Sequence, residues 1–452
     1  MERFMSQDVL IIGGGFAGLS TAVELASHRY RVTLLEKREI LGGRASSFLD
    51  STTGDIVDNG QHLFMGCYTH TLAFLKKIGS LEKLKFQENL NVDFLGRAIG
   101  MTSLTCPSLP APLHLLGGLL GLKSLSFRDK LSLARAGISL FLSKGKENQD
   151  LDRLTVDEWL TLMGQPERAK RHFWDIVTIA TLNESPKIAS AQLFVRVLQE
   201  ALFSEKAKSR IAISTVGLSE LYTEDAQKFL EAHGGEVIRN ANVVALEMRH
   251  GQVEAVKLKS GQRLQADLYI SAVPHFALKH LLPKELLEET APFSALNSLK
   301  SSPILGINLW FDRPITEREF IGLLDTQVHW VFNKGAIFSH HDREGAYLSL
   351  VISGAHDLVH LSKEELLSLA LKELRELFPE AREATLLHHV IMKERRATLS
   401  PEKGIGRLRL SQKTPFPNFF LVGDWTDTGL PATIEGAVYS GKKCVDCILE
   451  KG

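Results

Sequence analysis

The chain has 452 residues, of which 44% are apolar and 23% are charged, a composition typical of a soluble globular protein. Lys and Arg together number 53, as do Asp and Glu, so the charge balance gives no indication of a nucleic-acid partner. The length exceeds that of one ordinary hydrophobic core, and we expect two intimately joined domains.

Cysteine use and the N-terminus both favour a reducing compartment. The cysteines are scattered, and although Cys444 and Cys447 form a C-x-x-C pair, they fall in a predicted C-terminal helix without a second pair. No other metal-ligand spacing is evident. The first strand begins near residue 8, which leaves no room for a signal peptide. We therefore expect a cytoplasmic protein without a bound metal.

The start of the chain has the pattern of a dinucleotide site. A short apolar run predicts a buried parallel strand, and a helical pattern follows it. Between them Gly13, Gly15 and Gly18 have the G-x-G-x-x-G spacing. Such glycines permit a tight turn, close approach of the backbone to a pyrophosphate, and close packing of helix on strand. With Phe16 and Ala17 at the helix N-terminus, they are predicted to hold the phosphates.

A second apolar strand ends on Glu36, about 20 residues beyond the glycine motif, where a carboxylate can accept a hydrogen bond from a ribose 2′-OH. The following loop contains Gly43 and Arg44. Its glycines let the backbone pass close to a cofactor, and the guanidinium can bind pyrophosphate oxygens in a forked manner. The cofactor site is therefore predicted to include Glu36, Lys37, Gly43, Arg44 and Ala45.

The next segment, residues 58–62, is polar and then abruptly becomes apolar. Such a segment can line a site at the edge of a cofactor ring, and we expect Gly60, Gln61 and His62 to contact the cofactor. Two interpretations of His62 remain open, a chemical role and an ordinary hydrogen-bonded structural role.

Helical patterns dominate from residue 91 to residue 203. The segment from Leu113 to Leu122 is strongly apolar, but nearby prolines, His114 and Lys123 argue against a membrane-spanning helix, which needs about 20 uninterrupted apolar residues. The segment is predicted to lie in a membrane interface, to cap an apolar tunnel, or to form a buried core helix.

The middle of the chain returns to alternating strands. A helix over residues 217–233 is followed by short strands typical of a β-meander, in which main-chain groups around Val243 could bind an adenine edge. Farther on, residues 304–311, 329–332 and 346–352 predict one open antiparallel sheet. The spacing of Ser362 and Glu365 predicts a capping box at the start of the next helix.

The C-terminal region returns to the cofactor. A strand ends on Gly423 and Asp424, whose carboxylate can bind a ribityl hydroxyl. Pro431 is predicted to open the last helix. Its N-terminus, aimed at the flavin N1–C2=O edge, would stabilise the negative charge of a reduced flavin. This pairing of distant motifs favours FAD over NAD. The predicted contacts here are Gly423, Asp424, Thr433, Ile434 and Ala437.

The predicted fold is therefore α/β. A discontinuous Rossmann-type, glutathione-reductase-like FAD-binding domain, a βαβ unit with a β-meander, is expected over residues 1–90, 210–285 and 400–452. Interleaved with it is a mixed α+β substrate-binding domain over residues 91–209 and 286–399.

These residues resemble the FAD-dependent amine oxidase and phytoene desaturase flavoproteins through the glycine motif, Glu36, Gly42-Gly43-Arg44, Gly423-Asp424 and Glu435-Gly436-Ala437. More narrowly, residues 58–62, 396–398, 423–429 and 431–441 look like hydroxysqualene dehydroxylases, also called squalene-associated FAD-dependent desaturases. The similarity runs nearly end to end. The sequence departs from that pattern at Leu430, Ile434 and Tyr439, and Leu430 puts the substrate in question.

The resemblance implies that reduced flavin removes the hydroxyl of hydroxysqualene to give squalene for hopanoid or other triterpenoid synthesis. It implies a long apolar isoprenoid substrate and a proton donor, for which His62, Asp427 and bulk solvent are the candidates. No motif identifies the electron donor that reduces the flavin.

Three alternatives are weaker. An oxidative carotenoid desaturase has the same fold. An amine oxidase is less expected, because Thr433 stands where those enzymes place a flavin-facing aromatic, and residues 301–311 contain no lysine, although Lys300 lies just outside. A non-catalytic isoprenoid carrier would not need Glu36, Arg44 and Asp424 together.

Overall fold

A parallel sheet brings together strands from three separate parts of the chain. The computed structural model describes residues 7–143, 149–338 and 345–450, without the side chains of residues 149 and 150. In that part of the chain, the order of the sheet is Glu236–Ile238, Arg31–Leu35, Asp8–Ile12, Leu268–Ser271 and Phe419–Leu421, and all neighbouring strands are parallel.

The alternation of side chains along the first strand builds two cores. Val9 and Ile11 pack with helices on one face, whereas Leu10 and Ile12 point to the opposite face. The helices of the first face are Phe16–Ser27, Leu218–Ala232 and Ile434–Leu449. The other face belongs to the core of a meander formed by Val243–Arg249, Gln252–Leu258 and Arg263–Leu264. The predicted helix over residues 217–233 and the meander are confirmed.

The large sheet is mixed, not purely antiparallel as expected. Its order is Leu386–Leu399, Ser301–Phe311, Ala346–Ser353, Trp330–Asn333, Phe320–Leu324, Asn91–Gly96 and Gly100–Thr105. The three predicted strands are antiparallel to their partners, but Phe320–Leu324 pairs in parallel with Asn91–Gly96. Asn91–Gly96 and Gly100–Thr105 form a hairpin in a region that is expected from sequence to be helical. The sequence pattern of this hairpin is weak because the strand with which it pairs, Phe320–Leu324, lies more than two hundred residues away.

Helices line the space between the two sheets. They are Leu113–Gly121, Phe127–Leu142, Val156–Leu162, Ala191–Ala201 and a long helix over residues 167–182. The long helix contains a π-helical turn at Lys170–Trp174, which widens the helix and re-aims the side chains that follow. The helical structure expected from sequence is therefore present within residues 113–142 and 156–201.

The remaining elements are short or peripheral. Two further sheets pair Ser47–Leu49 with Ile56–Asp58, and Ile211–Ser214 with Leu63–Met65 and Leu84–Phe86. The other α-helices are Thr69–Lys77, His275–Leu281, Lys284–Glu289, Lys334–Ile337, Lys363–Leu377 and Glu380–Glu383. The 3₁₀ turns are Leu81–Lys83, Gln149–Arg153, Lys206–Ser209, Phe293–Asn297 and Ile405–Arg407. Ser362 and Glu365 form the predicted capping box.

Candidate active site

The glycine loop connects the first strand to the first helix. Gly13 has a φ of +110°, and a Cβ at Gly18 would lie 1.9 Å from the carbonyl oxygen of Gly13. A Cβ at Gly15, by contrast, would meet only Gly42 O and Gly43 Cα, each at 3.8 Å. No side chain caps the helix that begins at Phe16, so its first N–H groups are available to an anion. The glycines of this loop thus form the floor of a groove.

Glu36 lies at the edge of this groove. It is buried, and its Oε2 accepts a hydrogen bond from Gly14 N at 2.8 Å. The Ala241 N–H donates to the carbonyl oxygen of Glu36 at 2.8 Å, which brings the start of the meander at Val243 towards the same place. Lys37 is exposed. Glu36, predicted to bind the ribose, and the main chain around Val243, predicted to bind the adenine edge, therefore lie close to each other.

Two side chains that sequence reasoning missed hold the loop of residues 42–45. Tyr222 Oη donates to the carbonyl oxygens of residues 42 and 45, at 2.9 and 3.1 Å, and its ring stacks on Phe16 at 3.7 Å. Arg38 Nη2 donates to the carbonyl oxygen of Gly43 at 2.7 Å. Because the Phe16 ring is buried in this stack, only its main chain could meet a phosphate.

Arg44 joins three parts of the chain. Its Nη2 lies 2.5 Å from Asp424 Oδ1, and its Nη1 donates to the carbonyl oxygen of Ala397 in the large sheet at 2.8 Å. Asp424 is 5% exposed. His275 lies close to both charges, and burial lowers its pKa to about 4. Arg44, which is predicted to bind the pyrophosphate, and Asp424, which is predicted to bind a ribityl hydroxyl, are therefore in direct contact with each other.

A buried arginine shapes the loop after Asp424. The Arg409 guanidinium donates to the carbonyl oxygens of Asp424 and Trp425, at 2.7 and 3.3 Å, and to that of Leu430. Burial lowers its pKa to about 10, so it stays charged at neutral pH. Asp427, in the same loop, is exposed and does not line the cavity described below. Its role as a proton donor stays a prediction.

The last helix begins three residues later than expected. Pro431 precedes the helix, and Thr433 is its N-cap, with Oγ1 accepting from Gly436 N at 3.2 Å. Thr433 takes the N-cap position because its hydroxyl can accept a hydrogen bond from a free N–H group of the first turn, which a proline side chain cannot do. Ile434 and Ala437 lie in the first turns of the helix, where the sequence places the flavin edge.

The segment over residues 58–62 lies directly on the Arg44 loop. Asn59 Nδ2 donates to the carbonyl oxygen of Arg44 at 2.6 Å, and Asn59 Oδ1 accepts from Ser46 N at 3.2 Å. His62 follows in the same segment, and burial lowers its pKa to about 4, so its ring is neutral at neutral pH. A buried lysine of the large-sheet region, Lys334, also reaches this segment, and no local sequence pattern marks it.

A mostly apolar cavity of about 420 Å³ adjoins the C-terminal motif, which comprises residues 423–441. Its walls come from the helices between the sheets and include Leu115, Leu119, Leu133, Phe173, Val197 and Phe203. Polar side chains line the cavity beside residues 68–70 and 430–439, and others lie on the helical wall: Tyr68, His70, Thr433, Glu435, Tyr439, His172, Thr181, Arg196 and Glu200. The ring of His70 stacks on that of Tyr439 at 4.3 Å. The cavity can accept a long apolar molecule with one polar group.

The helix Leu113–Gly121 forms one side of this cavity. Leu115, Leu116 and Leu119 line it, whereas Leu113 and Leu120 are exposed. The segment is therefore not a fully buried core helix. Within the described residues, the structure contains no helix with both the length and the apolar character needed to cross a bilayer.

The family profile described as flavin containing amine oxidoreductase matches residues 16–449. The chain belongs to this family. The match includes Gly18, Glu36, Arg44 and residues 423–441, so this flavoprotein is an FAD-dependent oxidoreductase of the amine oxidase superfamily. The glycine-floored groove, the uncapped helix N-terminus and the Arg44–Asp424 pair fit a dinucleotide of this size and charge.

Curated relatives include carotenoid enzymes. A 15-cis-phytoene desaturase, chloroplastic/chromoplastic, from an Oncidium hybrid cultivar is 29% identical, over 98% of this chain and 78% of its own. The 15-cis-phytoene desaturase of Synechococcus elongatus is 27% identical, over 98% of this chain and 96% of its own. Among solved structures, an oxidoreductase from Methanosarcina mazei has a TM-score of 0.77 at 17% identity, covering 97% and 100% of the two chains. The predicted α/β flavoprotein fold is confirmed.

Proposed function

We propose that this flavoprotein acts on a long apolar isoprenoid and removes the hydroxyl of hydroxysqualene to give squalene. The observation that carries the proposal is the cavity, whose lining is mostly apolar but includes polar side chains beside residues 430–439 and, on the helical wall, His172, Arg196 and Glu200. A hydroxyl needs hydrogen-bonding partners once it leaves water, and the polar side chains of this lining could supply them. Reduced FAD, when bound, supplies the hydride that replaces the hydroxyl.

The chain's own residues would bind the substrate, exclude water from its reacting carbon and assist the protonation of its hydroxyl oxygen. The apolar wall excludes water from the allylic carbon, so the C–O bond breaks where a cation is not captured by solvent. The oxygen takes up a proton and leaves as water. Neither His62 nor Asp427 lines the cavity, and burial lowers the pKa of His62 to about 4, so this proton would come from solvent. The exposed Asp427 would act through solvent.

Product analysis tests this proposal. The purified holoenzyme is incubated anaerobically with hydroxysqualene and chemically reduced FAD, and we expect squalene. A second candidate, an oxidative carotenoid desaturase, is favoured by the phytoene desaturase relatives. Conversion of phytoene by the oxidised enzyme, without squalene from hydroxysqualene, would replace the first proposal by the second. A protein that binds squalenoids but is purified colourless would instead support a carrier.

We also propose that the cavity opens towards an anionic membrane surface. Leu120 and Phe127 are 71% and 78% exposed, and they belong to the two helices whose other faces line the cavity. Lys123, Arg128 and Arg135 are also exposed. Exposed apolar side chains with exposed basic residues near them in the sequence suit a lipid interface, from which a water-insoluble substrate could enter directly.

A further inference from the structure

Lys334 is a buried cation in a position that the proposed reaction does not use. It follows the strand Trp330–Asn333 of the large sheet and is 1% exposed. Its Nζ donates to Asp58 Oδ2 and to Gln61 Oε1, both at 2.8 Å, and it lies 3.8 Å from the ring centre of Phe338. Burial lowers the pKa of Lys334, and the Asp58 carboxylate opposes that shift.

The partners of Lys334 are themselves fixed to the cofactor groove. Asp58 Oδ1 accepts from Ser47 Oγ at 2.7 Å and from Leu218 N, at the start of a helix, at 2.9 Å. Between Asp58 and Gln61 lies Asn59, which is hydrogen-bonded to the Arg44 main chain. The ammonium group therefore connects the large sheet to residues 58–62, the segment that is hydrogen-bonded to the Arg44 loop.

We propose that Lys334 is a positioning residue for FAD. By holding both Asp58 and the side-chain carbonyl of Gln61, it fixes the segment over residues 58–62, and the Gln61 side chain with it, against the bound cofactor. This inference requires FAD binding at the groove but is independent of the substrate, so failure of the hydroxysqualene assay would leave it standing.

A purely structural ion pair would behave differently. Loss of one partner of a buried pair leaves an uncompensated charge and destabilises the fold, whereas loss of both is often tolerated. If Lys334 only neutralised Asp58, replacing both charges would restore the stability and the flavin properties together. If Lys334 positions Gln61, the double replacement restores the stability alone, because Gln61 still lacks its donor.

The test uses Lys334→Met, the double variant Lys334→Met/Asp58→Asn, and Gln61→Met, which leaves the ion pair intact. The Asn side chain can still accept from Ser47 and Leu218. We expect Lys334→Met to lower the melting temperature and the double variant to recover most of it. In both, the dissociation constant of FAD should rise roughly tenfold or more, as for a lost hydrogen bond to a charged group, and the visible flavin spectrum should shift. Gln61→Met should reproduce the FAD effects without the loss of stability.

Lys170 provides a matched control. It is a buried lysine of the helical region, with Nζ 2.9 Å from Asp157 Oδ1. Lys170→Met should lower the melting temperature but leave FAD affinity and the flavin spectrum unchanged. The proposal is overturned if Gln61→Met or the double variant binds FAD with the native affinity and spectrum, or if Lys170→Met shifts them as much as Lys334→Met does.

Discussion

Arg44 Nη2 lies 2.5 Å from Asp424 Oδ1, although the two residues are 380 positions apart in the chain. This contact joins a loop near the N-terminus to a strand end near the C-terminus, both of which are predicted to hold the cofactor. The second contact of Arg44, with the carbonyl oxygen of Ala397, extends the connection to the large sheet.

Replacement of Arg44 should therefore damage FAD binding more than its partial exposure suggests. Arg44→Ala leaves the Asp424 carboxylate buried without its cation, and we expect FAD affinity to fall by roughly ten- to a hundredfold. Arg44→Lys keeps the charge but not the forked geometry and should be intermediate. FAD fluorescence titration measures both. Arg263→Ala, which removes an exposed pair with Glu247, is the control and should bind FAD normally.

Two glycines should fail in different ways when changed to alanine. At Gly18 the new methyl would lie 1.9 Å from a backbone oxygen, so the protein should not fold. At Gly15 the methyl meets nothing closer than 3.8 Å, and the backbone φ of −88° suits alanine. Gly15→Ala should therefore fold but bind FAD at least tenfold more weakly, because the methyl fills the groove. Circular dichroism and FAD titration distinguish the two outcomes, and normal FAD binding by Gly15→Ala would place the phosphates elsewhere.

Bulk added to the cavity wall should block the substrate and spare the cofactor. Ala134 lines the cavity, whereas Ser139 is exposed on the same helix. We expect Ala134→Trp to lower isoprenoid turnover at least tenfold with an unchanged flavin spectrum, and Ser139→Trp to keep most of it. Equal turnover in the two variants would mean that the substrate does not occupy this cavity.

Three exposed apolar side chains of the two cavity helices should control membrane binding. The triple variant Leu113→Ser, Leu120→Ser and Phe127→Ser should bind anionic vesicles at least tenfold more weakly, since each side chain loses apolar burial of about 1.5–3 kcal/mol. Leu387→Ser, at a site 65% exposed on the large sheet, is the control. Vesicle sedimentation at two salt concentrations would also reveal the contribution of Arg128 and Arg135. Native vesicle binding by the triple variant would refute the membrane contact.

Acidification should destabilise the protein through buried histidines. Burial lowers the pKa of His275 to about 4 from its ordinary 6.5. Between these values the unfolded chain binds a proton that the folded chain does not, so the free energy of unfolding falls as the pH falls. The loss is roughly 3 kcal/mol by pH 4. Urea unfolding of His275→Gln should show a correspondingly weaker pH dependence, and the exposed His280→Gln should not.

Local patterns in the sequence were sufficient for the glycine groove, Glu36, the capping box at Ser362 and the meander, because each depends on neighbours in the chain. Lys334, Arg409 and Tyr222 were missed for the opposite reason. Each reaches the site from a distant element and has no flanking motif, so only the packing of the two sheets reveals its role. The hairpin over residues 91–105 was missed because its stability depends on a remote strand.

The position of Gly441 has a consequence for how the protein is made. A Cβ there would lie 2.5 Å from Thr21 Oγ1, so the last helix packs tightly against the first. On the ribosome, the N-terminal glycines emerge long before this helix, and the groove stays open on one side. We therefore expect the chain to retain FAD only after the helix Ile434–Leu449 has packed against Phe16–Ser27.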